Sequence, residues 1–136
     1  MSSKKKASFI IITDHSCDRR DLEMKILQRN EKGYYIFNLE GSVALENTNK
    51  LKSFVKPYLE DSELKGIIFN MDKVSSIDSS GIGYIVSIYK KLKTRNCKFA
   101  LSSLNRQSRE VFTLTKLDKI LVIVEDDQSA LNIMSK

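Results

Sequence analysis

A single histidine, two cysteines and no tryptophan leave little material for several kinds of chemistry. Cys17 and Cys97 stand far apart, and their spacing matches neither a zinc site nor a redox pair. His15 lies in the least domain-like part of the chain, so Cys–His and Ser–His catalysis is poorly supplied. No metal and no cofactor is expected. Proline occurs once and glycine five times, so no Pro/Gly-rich linker divides the chain. No apolar run approaches the ~20 residues of a membrane helix, and no membrane insertion is expected. The opening "MSSKKKASFIIITDHS" has the basic start of a secretory signal. Its apolar stretch is only Phe9 to Ile12, against ~7–15 residues in a real signal, and no small-residue cleavage pattern follows. The expectation is a cytoplasmic protein.

What is present suits one domain: 136 residues, 41% hydrophobic and 29% charged. The net charge of +6 is unevenly spread, because residues 1–20 hold five Lys/Arg against two Asp and so carry half of it. The body is mildly basic and lacks the aromatic-plus-arginine pattern of an RNA-binding sheet, so no direct nucleic-acid partner is expected. Residues 1–20 read as a basic N-terminal extension, in which Phe9–Ile12 could add an edge strand, and residues 21–136 as the domain.

"LEMKILQR" and "GYYIFNLEG" flank the turn signal "NEKG" and read as a hairpin. "NTNKLKSFVKPYLE" changes period: Leu51, Phe54, Val55, Tyr58 and Leu59 share one helical face, with Thr48 or Asn49 as cap. Pro57 predicts a kink there or a second short turn. "GIIFNM" is a buried strand. "SGIGYIVSIYKKLKTR" is a helix with a stripe of Ile82, Ile85, Val86, Tyr89 and Leu92 and a basic end that suits its dipole. "CKFALSSL" is a strand, and "RQSREVFTLTKL" a short helix through Val111, Phe112 and Thr115. "KILVIVED" is the last strand, and "DQSALNIM" a helix capped by Asp126 or Asp127. Its strand ending in paired acids is similar to the start of a receiver domain, but a receiver needs most of its length after that point. The order ββ-α-β-α-β-α-β-α is α/β, with a mixed, mostly parallel sheet of about five strands and about four helices.

"IDSSGIG" stands where a strand hands over to the central helix. Asp78, Ser79 and Ser80 are all good N-caps, and that alone explains them. Gly81 and Gly83 are odd in a helix start, because glycine costs roughly 1 kcal/mol relative to alanine in a helix interior. They leave backbone that another surface can approach. A phosphate at this point would meet free N–H groups and the positive end of the dipole, and would add about −1.5 to −2 charges to a docking patch. An enzymatic use of Ser79 lacks a neighbouring base, and "GIG" has the spacing of neither common phosphate loop.

From about Leu22 to Leu131 the chain resembles the anti-sigma factor antagonists of the STAS fold. The resemblance rests on "IDSSGIG", the "LEG" at Leu39–Gly41, the Leu104–Leu117 segment and "DQSAL". It implies a non-enzymatic regulator that switches partners. Ser79 would be phosphorylated by an anti-sigma factor that is also a serine kinase, and a phosphatase would reset it. Asp78 and Ser80 would support the phosphosite, and Gly81, Ile82, Gly83 and Tyr84 would lie on the docking face. The alternative within the fold is a scaffold or a subunit of a stress-signalling or lipid-transport complex, with no phospho-switch. Two positions depart from the family: Ala44 stands where an Asp is frequent, and Lys116 where a Gly is common. No oligomeric state is implied.

Overall fold

The computed structural model describes residues 7–12 and 24–134. Six strands form one sheet in sequential order: β1 (Ala7–Ile12), β2 (Met24–Glu31), β3 (Tyr34–Val43), β4 (Gly66–Ile77), β5 (Lys98–Ser102) and β6 (Val122–Val124). The first three pair antiparallel, and β3 to β6 run parallel. The expected hairpin turns at Lys32 and Gly33, both at positive φ, which matches the twist of the flanking strands. Ala7–Ile12 pairs with β2 as the edge strand and brings the count to six. The rest of the 1–20 extension lies outside the described residues.

Four helices connect or follow the strands: α1 (Leu45–Leu59), α2 (Ser79–Thr94), α3 (Arg106–Leu114) and α4 (Asp127–Met134). Side chains alternate across each strand, and this sorts the core into two layers. Phe37 and Leu39 of β3 and Ile67, Phe69 and Met71 of β4 pack with Leu51 and Val55 of α1, Ile85 and Leu92 of α2, and Phe112 of α3. The intervening Tyr34, Ile36, Ile68 and Ala100 pack with Ala130 and Met134 of α4 on the opposite face. Three crossover helices on one face is what right-handed β-α-β connections give when the strands are added in sequence.

Several expectations need correction. α1 begins at Leu45, so Thr48 lies inside its first turn instead of capping it, and Ala44 occupies the cap with no side-chain bond. The helix also runs unbroken through Pro57 to Leu59. A proline this close to the C-terminal end removes one hydrogen bond and leaves little helix to redirect. β4 continues six residues past the expected "GIIFNM", to Ile77. The buried stripe of α2 is Gly81, Tyr84, Ile85, Ile88 and Leu92, rotated from the expected one, so Ile82, Val86 and Tyr89 are only partly covered. On α3, Phe112 is buried, whereas Thr115 falls just past the helix, as its C-cap.

Of the two candidate caps for α4, Asp126 accepts from the Ser129 amide at 2.8 Å. Asp127 turns inward and receives the Ser102 hydroxyl at 2.6 Å, the Asn70 amide at 3.0 Å and Arg29 at 3.1 Å. Lys116 takes a left-handed φ of 64°, which explains why glycine suits this turn.

Candidate functional site

β3 and β4 end side by side, with Val43 paired to Ile77. Gly41, at φ +113°, sits at the irregularity that turns the end of β3, a conformation open to glycine. Two helices therefore start next to each other at this edge, α1 after Ala44 and α2 after Asp78.

Asp78 serves both starts. Its Oδ1 accepts the Gly81 amide at 3.0 Å and the Ser80 hydroxyl at 2.8 Å. Its Oδ2 accepts the Leu45 amide of α1 at 3.1 Å. Partial burial pushes the carboxyl pKa up, but the bonds from Gly81, Ser80 and Leu45 outweigh it and hold the group below the usual carboxylate range. The Ser80 hydroxyl also lies 3.3 Å from Thr48 Oγ1, and that group donates to the Ala44 carbonyl at 2.7 Å. Ser80 is thus engaged and half-buried. Ser79 is exposed, and its hydroxyl has no hydrogen-bond partner among the described residues.

The four residues expected on the docking face divide into two pairs. Gly83 is exposed, and a β-carbon there would meet nothing within 4 Å. Ile82 is half-buried beside it. Gly81 and Tyr84 face inward. A β-carbon on Gly81 would collide with the Val43 carbonyl oxygen and come within 2.9 Å of its Cγ1, so this glycine is there because α2 sits hard against the end of β3. Tyr84 is 5% exposed, and its ring lies 6.5 Å from that of Phe69 at a 28° tilt. Its hydroxyl is buried without a partner, and burial pushes the phenol pKa far up.

Sequence reasoning missed Leu45, which is 66% exposed and held directly against the Asp78 carboxylate. No local signal marks it, because its cap comes from 33 residues downstream. Two surface cavities, of about 340 Å³ and 220 Å³, lie elsewhere and are not lined by any of Asp78–Tyr84. Among the described residues no His/Cys/Asp/Glu cluster could hold a metal, and no helix is long and apolar enough to cross a membrane. The site is an open helix edge with one free hydroxyl.

Comparison with known proteins gives the family and the fold. The chain is similar to a candidate anti-sigma factor antagonist of Thermotoga maritima, 32% identical over 87 residues that cover 64% of this chain and 77% of the relative. A crystal structure of a candidate antagonist from Thermotoga maritima superposes with a TM-score of 0.76 at 27% identity, covering 80% of this chain and 93% of that one. A Bacillus cell fate determinant in its phosphorylated form shares the fold at a TM-score of 0.64 and 17% identity, covering 79% and 96%. The STAS domain family model matches residues 15–130, and the chain belongs to that family.

Proposed function

We propose that this protein is an anti-sigma factor antagonist whose hold on its partner is controlled by one phosphate on Ser79. The partner in this reading is an anti-sigma factor with serine-kinase activity, and a phosphatase returns the chain to its binding form. The protein acts in the cytoplasm, by binding rather than catalysis. The observation that carries the reading is the contrast between two adjacent hydroxyls. Ser80 donates to Asp78 at 2.8 Å, whereas Ser79 is exposed and unpartnered at the first turn of α2.

A phosphoryl group on Ser79 would sit at the positive end of the α2 dipole, which the fold tolerates. It would also place about two negative charges next to the Asp78 carboxylate and the bare Gly83 surface. A partner seated on Gly83, Ile82 and Leu45 would then have to bury a hydrated dianion and would leave. The similarity to named antagonists supports this assignment.

The test is incubation with ATP and the serine-kinase anti-sigma factor of the same organism, followed by site mapping by mass spectrometry. Label on Ser79 that vanishes in Ser79→Ala supports the reading. Label on Ser80 instead, or none at all, contradicts it.

A further inference from the structure

We infer that the seam between α1 and α2 is a docking track for an acidic protein surface of the partner, lined by Lys52, Lys56, Lys90 and Lys91. The inference rests on the reading of Ser79 as an interface residue and adds the chemistry of what docks there. α1 packs against α2, and Thr48 faces Ser80 across their N-terminal ends at 3.3 Å. Residues that follow Thr48 at i+4 and i+8 continue its side of α1, and these are Lys52 and Lys56. On α2, Lys91 follows Ser80 at i+11 on the α1 side, and Lys90 follows Ser79 and Gly83 on the outward ridge. All four lysines are exposed.

The seam carries charge of one sign. No Asp or Glu occurs in residues 47–59 or 79–94, and acids return only at the helix ends. None of the four lysines is ion-paired among the described residues. Elsewhere two cations are ion-paired, Lys25 with Glu40 at 4.0 Å and Arg29 with Glu31 at 3.9 Å and Asp127 at 3.1 Å, so what sets the seam apart is the absence of any acid among its neighbours along both helices. Lys56 and Lys91 suit the negative ends of their helices, but four unpaired like charges on neighbouring helices also repel one another. They suit a partner that supplies the opposite sign.

The residues beside the lysines identify the kind of partner. Asn49, Ser53, Ser87 and Thr94 beside the lysines are polar, and the partly covered Ile82 and Val86 are the apolar residues of the α2 ridge, less apolar surface than a helix that lies in a lipid surface presents. The track also lacks the arginines that pair bidentately with phosphate. An acidic protein face fits what remains, and the track is continuous with Ser79 and Gly83 along one ridge of α2.

Attraction and release are spatially separate. Lys90 lies eleven residues beyond Ser79, about 16 Å along the helix axis. That exceeds the Debye length of about 8 Å, so Lys90 and its neighbour Lys91 do not neutralise a phosphate on Ser79. They act on the approach of the partner, and the phosphate acts on its residence.

The experiment measures association and dissociation rates of the full chain with its purified serine-kinase anti-sigma factor, at about 50 and 300 mM NaCl. Wild type, Ser79→Asp and the fourfold variant K52E/K56E/K90E/K91E are compared, with a fourfold Lys→Gln variant in case charge reversal disturbs folding. The account expects the fourfold variants to lose about tenfold in association rate at low salt, with a flattened salt dependence and unchanged circular dichroism. Ser79→Asp should instead raise the dissociation rate. Fourfold variants that associate like wild type would overturn the lysine track and leave the Ser79 reading standing. Failure of Ser79→Asp alone would overturn the switch. A parallel NMR titration uses a ten-residue polyglutamate peptide, phosphatidylglycerol vesicles and single-stranded DNA. Shifts along the seam with the peptide support the assignment, whereas response to vesicles or DNA without the peptide overturns it.

Discussion

The Asp78 carboxylate accepts the backbone amide of Leu45 at 3.1 Å across 33 positions of sequence, while its other oxygen caps its own helix through Gly81. One side chain therefore sets the starts of α1 and α2 together. Ala44, at the cap of α1, contributes no side-chain bond, so the Asp78 contact takes on work that a local cap would do elsewhere.

This arrangement makes Asp78 more costly to remove than an ordinary cap. Asp78→Ala should destabilise the protein by about 2 kcal/mol, the upper end for a lost cap. Asp78→Asn, which keeps a neutral acceptor, should lose about half as much. Hydrogen exchange should rise at Leu45 and Gly81 together. A rise confined to Gly81 would show that the link to α1 is inconsequential.

The two glycines of "GIG" should respond in opposite ways. Gly81→Ala drives a β-carbon into the Val43 backbone and should cost about 1–3 kcal/mol in denaturant unfolding. Gly83→Ala meets open space and should stabilise the helix by up to about 1 kcal/mol. Because Gly83 lies on the proposed interface, the same change should weaken partner binding while the fold gains.

Tyr84→Phe removes a buried hydroxyl that has no partner and should raise stability by about 1 kcal/mol. Partner affinity should stay the same, because the ring faces Phe69 and not solvent. A loss of affinity without a loss of stability would return Tyr84 to the docking face.

These outcomes show where sequence periodicity reaches its limit. The alternation of strands and helices, the hairpin turn and the placement of "DSSG" at a strand–helix junction are all local patterns, and they were readable. The stripe that periodicity predicts for α2 lies one step away from the buried one. β-branched Ile82 and Val86 look like core, while Gly81 carries no hydrophobic signal and is buried only because it presses on Val43. The start of α1 was unreadable for the same kind of reason, since its stabilising group lies in another element. Asp127 looked like a cap, and its three partners, Ser102, Asn70 and Arg29, come from three different strands that only the folded sheet brings together.

Stability should fall at both ends of the pH range. Hydrogen bonds hold Asp78 and Asp126 below the ordinary carboxylate value of 3.8, and do the same for Asp61. A group whose folded pKa is depressed stabilises above its unfolded value and loses that contribution as pH falls through the folded one. Burial and the bond to Asp61 raise Tyr35 from 10.0 to about 12, so its contribution is complete below pH 10 and is lost as pH rises towards 12. Unfolding midpoints measured against pH should decline below about 4, less steeply in Asp78→Asn, and again above 10, less steeply in Tyr35→Phe. A flat profile across either region would contradict the assigned bonds.

The most direct test of the central claim is the equilibrium affinity of Ser79→Ala and Ser79→Asp for the purified serine-kinase anti-sigma factor, measured side by side with Ser80→Asp as a control. The account predicts that Ser79→Ala binds like the unmodified chain and that Ser79→Asp loses at least about tenfold, or 1.4 kcal/mol. Equal binding by the two Ser79 variants, or a loss only in Ser80→Asp, would contradict it and leave Ser79 as the first residue of a helix and nothing more.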